Sequence, residues 1–484
     1  MLVRRVPADA LLGRLPPVPD VDAATVASAA AVSGRRLVVL DDDPTGTQTV
    51  ADLPVITSWG VEDFRWGLAQ DAPALFVSTN TRSLDEHQTE SRLRELVPAL
   101  VRAARAAQVD FVIASRSDST LRGHYPLETD VLADCLKEHL GTEVDGVLVV
   151  PAFLDAGRLT VDSVHWMAVG SDLVPVSETE FAADLTFGYG SSDLREYVAE
   201  KTRGRWPANE VARVTLDDIR GAGVQRVAEI LESLDEGRPV VIDAVRDEDL
   251  SIVALAAIEA EGRGRSLLYR VGPSFVRARV GLPHRPELSS EQLAAIVATH
   301  TGPPASHGLI AVGSHVDTTT RQLARLCDLD GIEVVELDVS VVLGPDGDAH
   351  VRAVANQVQD ALTRGDVVVH TSRAVRTDGD RASQLRLGGR VSAALVSVVR
   401  SVASRRNLGW VVAKGGITSI DVARHGLGIR RAHVAGSLFA GTVSLWVPAT
   451  SEVFRAPLAV FPGNVGDELA LVAAVTRLRE ASRA

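Results

Sequence analysis

Residues 36–47 read RLVVLDDDPTGT, a β-branched run that ends in three carboxylates and a Pro-Thr-Gly turn. Three more short runs end in polar residues in the same way, ALFVSTNTR at 74–82, FVIASRSDS at 111–119 and GVLVVPAF at 146–153. The stretches between them have helical spacing, as at 85–107, where apolar residues recur at intervals of three and four. This alternation predicts a mostly parallel sheet covered on both faces, with ligands beyond the carboxyl ends of its strands.

The same alternation restarts in the second half of the chain, after a segment at 283–306 in which Pro and Gly cluster. We therefore predict an α/β fold of two mostly parallel-sheet domains with a ligand cleft between them. The predicted divisions are an N-terminal extension at 1–34, a first domain at 35–285, a linker at 286–306 and a second domain at 307–484.

Composition narrows the class of protein. The chain has 484 residues, with 50 Lys and Arg against 63 Asp and Glu, and a formal net charge of −13. This length suits two or three domains, and the acidic balance argues against a general nucleic-acid binder. No apolar stretch is long enough for a membrane span, and the N-terminus lacks the apolar core of a signal peptide. The two cysteines, Cys135 and Cys327, are too few for a disulfide framework or a cysteine metal site, so we expect a cytoplasmic protein.

The acidic turn Asp41 to Thr47 is the first candidate site. Three neighbouring carboxylates either raise the pKa of at least one of them or recruit a cation, and both outcomes suit general-base chemistry. A solvated turn in which one Asp caps the next helix explains the same residues about equally well.

Residues 115–124, SRSDSTLRGH, form a second candidate site after the third strand. They offer two guanidiniums for a carboxylate or phosphate, and hydroxyls and an Asp for sugar hydroxyls. An Asp-Ser helix cap with surface arginines is the alternative. The next strand ends in 151–158, where Arg158 would supply another anion contact unless this is an ordinary loop.

Three small glycine turns in the second half suit phosphate binding by backbone N–H groups: 313–315, 414–419 and 461–467. Lys414 fits either a phosphate contact or a lysine that flanks a strand, and we favour the second. The sequence contains no GxxxxGK[ST], strand-linked GxGxxG, HExxH or GxSxG motif, and no metal cage is predicted.

Taken together, these segments resemble the four-carbon acid sugar kinase family, also known as DUF1537. The resemblance covers about 35 to 475 and is carried by motifs in family order: LDDDPTGTQTV at 40–50, SRSDSTLRGHYPLETDVL at 115–132, PAFLDAGRLTVDSVHW at 151–166, ETEFAADLTFGY at 178–189, VGSHVDTTTRQL at 312–323, KGGITSIDVARHGLGIRRAHVAGS at 414–437 and FPGNVGD at 461–467.

The resemblance implies an ATP-dependent kinase with an N-terminal sugar-acid-binding domain and a C-terminal nucleotide-binding domain. Its substrates would be acids such as erythronate, threonate or 3-oxo-tetronate, phosphorylated on a hydroxyl. The implied ATP contacts are Ser314, Gly415, Gly416, Ile417, Thr418 and Gly463. The implied sugar-acid contacts are the Asp42–Gly46 turn, with Asp43, Thr45 and Gly46, and the segment Asp118 to Gly123, with Ser119 and Arg122.

Two departures from the family pattern indicate a distinct subgroup. The first motif has an extra acid and a proline, and Ile417 stands where many members have Asp or Glu in the nucleotide loop. Ile417 has no side-chain group for ribose or a metal. A branched oxo acid such as 3-oxo-isoapionate therefore remains an alternative substrate.

We expect Asp42 to be the catalytic base, with Asp118 as the second candidate, and Arg116, Arg122 or both to hold the substrate carboxylate. Mg²⁺ would arrive with ATP, held largely by phosphates and water. A homodimer would be ordinary for such an enzyme, and no nucleic-acid or membrane partner is expected. The alternatives are a non-catalytic sensor of sugar acid and nucleotide, and a magnesium-dependent phosphatase or aldolase.

Overall fold

The computed structural model describes residues 5–300, 307–373, 381–450 and 454–484. For Pro44, Thr45, residues 381–386, Ile417 and Thr450 it describes the backbone only. The chain divides into two compact units. The first unit is Met1–Gly46 with Trp59–His284, and the second is Thr47–Ser58 with Arg285–Ala484.

The described strands, in chain order, are β1 (Val6–Pro7), β2 (Arg36–Asp41), β3 (Leu53–Ile56), β4 (Ala74–Ser78), β5 (Phe111–Arg116), β6 (Gly146–Val150), β7 (Arg158–Val161), β8 (Val164–Val169), β9 (Asp172–Pro175), β10 (Ala212–Val214), β11 (Arg238–Ile242), β12 (Leu267–Val271), β13 (Leu309–Val312), β14 (Ile332–Leu337), β15 (Asp366–Thr371), β16 (Val411–Lys414), β17 (Arg431–Phe439), β18 (Val443–Thr450) and β19 (Leu458–Phe461).

The described α-helices are α1 (Ala8–Leu12), α2 (Ala23–Ser33), α3 (Val61–Leu68), α4 (Glu86–Ala107), α5 (Leu127–Leu140), α6 (Leu194–Lys201), α7 (Gly223–Glu232), α8 (Asp247–Gly262), α9 (Pro273–Arg279), α10 (Ser290–His300), α11 (Asp317–Cys327), α12 (Val339–Val342), α13 (Gly347–Ala361), α14 (Arg381–Ala403), α15 (Gly416–Asp421) and α16 (Ala470–Ala481). Helix α4 begins as its sequence predicts, because Asp85 and Gln88 form a capping box.

A parallel sheet forms the centre of the first unit, in the order β10-β11-β6-β12-β5-β2-β4. Strands β4, β6 and β12 are buried along their whole length, which explains their continuous apolar sequences. A small antiparallel sheet, β1-β9-β8-β7, completes the unit. Most of the polar runs that the sequence singled out follow the carboxyl ends of β2, β4, β5 and β6.

The second unit has a mixed sheet in the order β3-β17-β18-β19-β16-β13-β15-β14. The five strands from β19 to β14 are parallel, whereas β3, β17 and β18 pair antiparallel. The predicted α/β fold with a mostly parallel sheet is confirmed.

The units divide the chain differently from the predicted boundaries at three places, one of which is the predicted linker, whose described residues 286–300 belong to the second unit. Residues before 35 belong to the first unit, where Val26 and Ala30 of α2 pack against Ala254 and Ile258 of α8. Residues 47–58 belong to the second unit, because β3 pairs with β17. The chain thus passes from one unit to the other within the acidic first motif. Part of the predicted linker, 301–306, lies outside the described residues.

Within the part of the chain that the structure describes, no helix is both long and apolar enough to cross a membrane.

Candidate active site

The carboxyl ends of β2, β4 and β5 bring three polar segments together in the first unit. The register pairs Asp41 at the end of β2 with Ser78 of β4 and with Arg116 of β5. The turns that follow these strands therefore start side by side at one edge of the sheet. This arrangement gathers the acidic first motif, residues 79–82 and residues 117–123.

Asp42 is buried at this edge and is bound by an arginine from the neighbouring turn. Arg82 donates from Nε to Asp42 Oδ2 at 3.1 Å and from Nη2 to Asp42 Oδ1 at 2.5 Å. Its Nη1 donates to Asp43 Oδ2 at 3.2 Å. Burial raises the pKa of Asp42 above its usual value, although the positive charge of Arg82 opposes that shift. The result is an oriented carboxylate whose proton affinity is increased.

Asp41 forms a second buried ion pair. Arg116 Nη1 donates to Asp41 Oδ1 at 2.9 Å, and both side chains are about 5% exposed or less. Burial raises the pKa of Asp41 to about 7 against the opposing charge of Arg116. Arg116 is therefore already paired with a carboxylate of the protein.

Asp118 is also held by cations. Arg122 Nε donates to Asp118 Oδ2 at 2.6 Å, and the Thr120 hydroxyl donates to the same oxygen. Burial by itself raises the pKa of Asp118, but the charges of Arg82 and Arg122 outweigh it and hold the pKa well below its usual range. Asp118 is consequently a weaker proton acceptor than Asp42.

Two glycines let the backbone approach these carboxylates closely. A Cβ at Gly46 would lie 2.1 Å from Asp41 Oδ2, and a Cβ at Gly123 would lie 3.1 Å from Asp42 Oδ2. Gly123 also has φ +132°, a conformation that favours glycine. Ser119 is buried and its carbonyl accepts a hydrogen bond from His165 Nε2 at 2.8 Å. The side chain of Thr45 lies outside the described residues.

Sequence reasoning missed Arg82, which touches two of the three aspartates of the first motif. The available signal was its position, since the run ALFVSTNTR ends at Arg82 and follows a buried strand like the other motifs. Arg270 of β12 was missed as well. It donates to Ser115 Oγ at 2.8 Å and pairs with Glu128.

Three glycine loops meet in the second unit. The register aligns Val312 of β13 with Lys414 of β16, and Lys414 with Phe461 of β19, so the following loops start at one edge. Cβ atoms built on Gly415 and Gly463 would lie 3.0 Å from Ser314 Cβ and 2.8 Å from Ser314 Oγ. The predicted nucleotide residues Ser314, Gly415 and Gly463 are thus brought together.

The remaining predicted nucleotide residues lie next to this cluster. A Cβ on Gly313 would lie 2.4 Å from Thr418 Oγ1, so Thr418 packs against the loop after β13. Gly416 and Ile417 begin α15, and the side chain of Ile417 lies outside the described residues.

Lys414 is fully buried and donates from Nζ to the carbonyl of Pro462 at 2.5 Å. Burial lowers the pKa of Lys414 to about 7. Lys414 therefore supports the loop that contains Gly463 from beneath, in agreement with the preferred interpretation of this residue as a lysine that flanks a strand.

Arg373 is a further cation at this edge that sequence reasoning did not single out. It follows β15 and donates from Nη1 to the carbonyl of Ser314 at 2.6 Å and from Nη2 to Thr320 Oγ1 at 2.7 Å. Its guanidinium places positive charge beside the loop after β13. Such charge suits a neighbouring polyphosphate.

Comparisons with known proteins agree with this division of the chain. A model of a sugar-binding N-terminal domain matches residues 37–279, and a model of a nucleotide-binding C-terminal domain matches residues 309–471. A D-threonate kinase of Salmonella typhimurium is 24% identical over 421 residues, which cover 84% of this chain and 89% of that kinase. The chain belongs to the four-carbon acid sugar kinase family.

Solved structures show the same fold for this family member. A Salmonella typhimurium LT2 protein, provisionally called a tRNA synthase, has a TM-score of 0.61 at 19% identity, over 91% of this chain and 98% of that chain. Haemophilus influenzae protein HI1011, of DUF1537, has a TM-score of 0.58 at 17% identity, over 90% of this chain and 98% of that chain.

Membership makes this protein a sugar-acid kinase with a nucleotide-binding C-terminal domain. The sugar-binding match spans the acidic edge of the first unit, and the nucleotide-binding match spans the glycine loops of the second. Among the described residues, no group of three or more His, Cys, Asp or Glu side chains is arranged to hold a metal ion. The acidic cluster of the first motif is instead bound by Arg82 and Arg116.

Proposed function

We propose that this kinase transfers the γ-phosphoryl group of ATP to a hydroxyl of a four-carbon or closely related sugar acid. The first unit would bind the acid and the second would bind ATP. The observation that carries the proposal is the buried carboxylate of Asp42, oriented by Arg82 at the carboxyl edge of the sheet. A kinase needs such a group, because the attacking hydroxyl must lose its proton during transfer.

Asp42 is the proposed base. Its oxygen accepts the proton as the O–H bond of the substrate breaks and the new O–P bond forms. The bond between the γ-phosphorus and the bridging oxygen of ADP breaks in the same transfer. Its raised pKa favours Asp42 over Asp118, whose pKa is lowered by Arg82, Arg122 and Thr120. Arg82 is a positioning residue that keeps both oxygens of Asp42 in a fixed orientation.

The acceptor site would be formed by the three segments at the carboxyl edge of the first unit. Gly123 and Ser119 would admit the substrate close to Asp42, since a side chain at Gly123 would occupy that space. Arg116 and Arg122 each have a carboxylate partner, so we assign them to maintaining the charge balance of Asp41 and Asp118. Asp43, Thr45 and Gly46 belong to the same turn as Asp42 and would form the side of the acceptor site opposite Gly123 and Ser119.

ATP would lie on the loops that contain Ser314, Gly415 to Thr418, and Gly463. The glycines allow backbone N–H groups to reach phosphate oxygens, and the hydroxyls of Ser314 and Thr418 lie beside them. These hydroxyl and backbone donors fit a nucleotide that brings its own Mg²⁺, which would neutralise phosphate charge and stay largely hydrated.

D-threonate is the first substrate to test, because the Salmonella typhimurium relative is a D-threonate kinase and the match covers 84% of this chain and 89% of that kinase. The proline and extra acid of the first motif and Ile417 keep a branched oxo acid, such as 3-oxo-isoapionate, as the second candidate. A sensor that binds both ligands without chemistry is the remaining alternative.

The test is ADP release from Mg-ATP with a panel of tetronates, 3-oxo-tetronates and branched oxo acids. We expect ADP formation that depends on one of these acids. Binding of ATP and acid by calorimetry without ADP formation would favour the sensor. Acid turnover that needs no ATP would favour a phosphatase or aldolase, and either result would overturn the proposal.

A further inference from the structure

Most arginines at the carboxyl edge of the first unit are already neutralised by the protein. Arg82 pairs with Asp42 and Asp43, Arg116 with Asp41, Arg122 with Asp118, Arg270 with Glu128, and Arg277 with Asp155 and Asp247. A substrate carboxylate that bound one of these arginines would have to compete with an internal carboxylate. The edge therefore offers little free positive charge from this set.

Arg158 differs from those arginines. Among the described residues, no carboxylate lies within 4.0 Å of its guanidinium, which is what separates it from the others, and its buried Nε, like that of Arg116, has no hydrogen-bond partner. The nearest acid along the chain, Asp155, is occupied by Arg277 at 3.0 Å and by His284 at 2.9 Å. Asp118 and Glu180 attract Arg158 only from beyond ion-pair distance. A cation in this state is incompletely satisfied and would gain from an anionic ligand.

The position of Arg158 is fixed by its surroundings. Its backbone exchanges two hydrogen bonds of 3.0 Å with Phe153, and it pairs with Met167 across β7 and β8. Its guanidinium carbon lies 5.8 Å from the centroid of the Phe153 ring. Phe153 belongs to the turn after β6, so Arg158 is anchored to the carboxyl edge of the same sheet as Asp42. A rigid, planar guanidinium of this kind suits two-point binding of a carboxylate.

The strand that contains Arg158 lies beside the candidate acceptor site, because Thr160 Oγ1 of β7 is 2.9 Å from His165 Nδ1 and His165 Nε2 donates to the Ser119 carbonyl at 2.8 Å. Asp118 and Arg122, two residues of the second motif, both act on its charge. Asp118 is already bound by Arg122 and Thr120, which leaves Arg158 as the cation of this group without an internal partner at hydrogen-bonding distance. Burial lowers the pKa of Arg158 from its ordinary value, as expected for a cation that lacks a close anion.

From this arrangement we propose that Arg158 binds the carboxylate of the acceptor and makes the kinase specific for sugar acids over neutral sugars. This inference rests on the proposed function, because it assumes an acid as acceptor. It assigns a specificity role to Arg158 and leaves the proton transfer to Asp42. An acceptor without a carboxylate should be a poor substrate, since the partly buried guanidinium would remain without an anionic partner.

The test compares Arg158→Met and Arg158→Lys with the wild type, using the acid that the wild type phosphorylates. We expect Arg158→Met to raise KM for the acid about 10- to 100-fold, as for the loss of a charged hydrogen-bonded pair, with KM for ATP nearly unchanged. Arg158→Lys keeps the charge but loses the planar guanidinium that can bind both oxygens of a carboxylate, so a smaller rise of KM is expected. The wild-type preference for the acid over its primary amide should shrink by a similar factor in Arg158→Met.

The matched control is Arg213→Met, which removes the same charge from an exposed arginine of β10. It should leave all constants unchanged. If Arg158→Met does not fold, Arg158→Lys carries the test, because it retains the charge and most of the aliphatic stem. An unchanged KM for the acid in Arg158→Lys and Arg158→Met, or a rise confined to ATP, overturns the assignment. Absence of acid turnover in the wild type itself would instead overturn the proposed function.

Discussion

Arg82 holds both carboxylate oxygens of Asp42, from Nε to Oδ2 at 3.1 Å and from Nη2 to Oδ1 at 2.5 Å. The two residues come from turns after neighbouring parallel strands, β2 and β4. The pair fixes the orientation of a buried carboxylate at the edge where α/β sheets bind their ligands.

Asp42→Asn should reduce kcat by about 10²- to 10⁴-fold, because the amide keeps the shape but cannot accept the proton of the attacking hydroxyl. The affinity for ATP, measured by calorimetry, should not change. Asp134→Asn is the control, because its side chain is 66% exposed on α5. If Asp42→Asn turned over like the wild type, Asp42 would not be the base.

The activity of the wild type should fall as the pH drops through the pKa of Asp42, because the protonated carboxyl cannot act as a base. Removal of the guanidinium in Arg82→Met should raise that pKa further, since the charge of Arg82 lowers it. We expect the acid limb of the kcat/KM profile to move up by about 1 to 3 pH units. Arg94→Met, on an exposed arginine, is the control. If the acid limb of Arg82→Met lay at the same pH as that of the wild type, the pKa of Asp42 would not be what sets the acid limb.

The buried pair of Asp41 and Arg116 should contribute to stability mainly when both partners are present. Arg116→Met would leave Asp41 buried without a cation and should lower the free energy of unfolding by about 3–5 kcal/mol. The double variant Asp41→Asn with Arg116→Met should recover much of that loss. Urea unfolding of the three proteins checks this, and equal losses in single and double variants would contradict it.

Lys414 should make the stability of the protein increase with pH above neutrality. Its pKa is lowered by burial to about 7 from an ordinary 10.5, so between these values the unfolded chain binds more protons than the folded one. Stability should therefore rise by about 1 kcal/mol per pH unit from this group. Urea unfolding at several pH values gives the free energy of unfolding as a function of pH. The slope of that free energy against pH should be smaller for Lys414→Met than for the wild type. The exposed Lys137→Met is the control, and an unchanged slope in Lys414→Met would exclude this source.

Gly463→Ala should weaken ATP binding and spare the acid. The added Cβ would lie 2.8 Å from Ser314 Oγ, within the cluster of nucleotide loops. We expect KM for ATP to rise about tenfold, equivalent to about 1.4 kcal/mol, with KM for the acid nearly unchanged. Gly389→Ala adds the same atom where nothing lies within 4 Å, so it controls for the substitution itself. Equal effects of the two variants would argue against a nucleotide role of this loop.

The sequence predicted candidate site residues best where polar side chains directly follow the end of a buried strand. Buried strands of continuous apolar residues are easy to recognise, and their polar tails meet because parallel strands share one edge. The residues around Asp42, Arg116 and Ser314 could be placed in this way. The internal pairing of Arg116 could not, because an arginine beside a candidate site has the same sequence signature whether its partner is a ligand or an aspartate from the next strand.

Pairing between strands that lie far apart in the sequence was the other feature that the sequence did not predict. Residues 53–56 have the apolar character of any short strand, and their pairing with β17 in the second unit depends on residues near the other end of the chain. Likewise, Arg82 lies in a run that was recognised only as a strand with a polar tail. Its contact with Asp42 depends on the adjacency of β2 and β4 in the sheet, and the order of the strands along the chain does not give that adjacency.

Transfer of the γ-phosphoryl group from ATP to the acid is tested most directly by following that group itself. Wild-type kinase would be incubated with γ-¹⁸O-labelled Mg-ATP and the acid that supports ADP release, and the products analysed by mass spectrometry. We expect labelled phosphate on the acid in a one-to-one ratio with ADP. Label found only in inorganic phosphate, or ADP formed without a phosphorylated acid, would contradict this transfer.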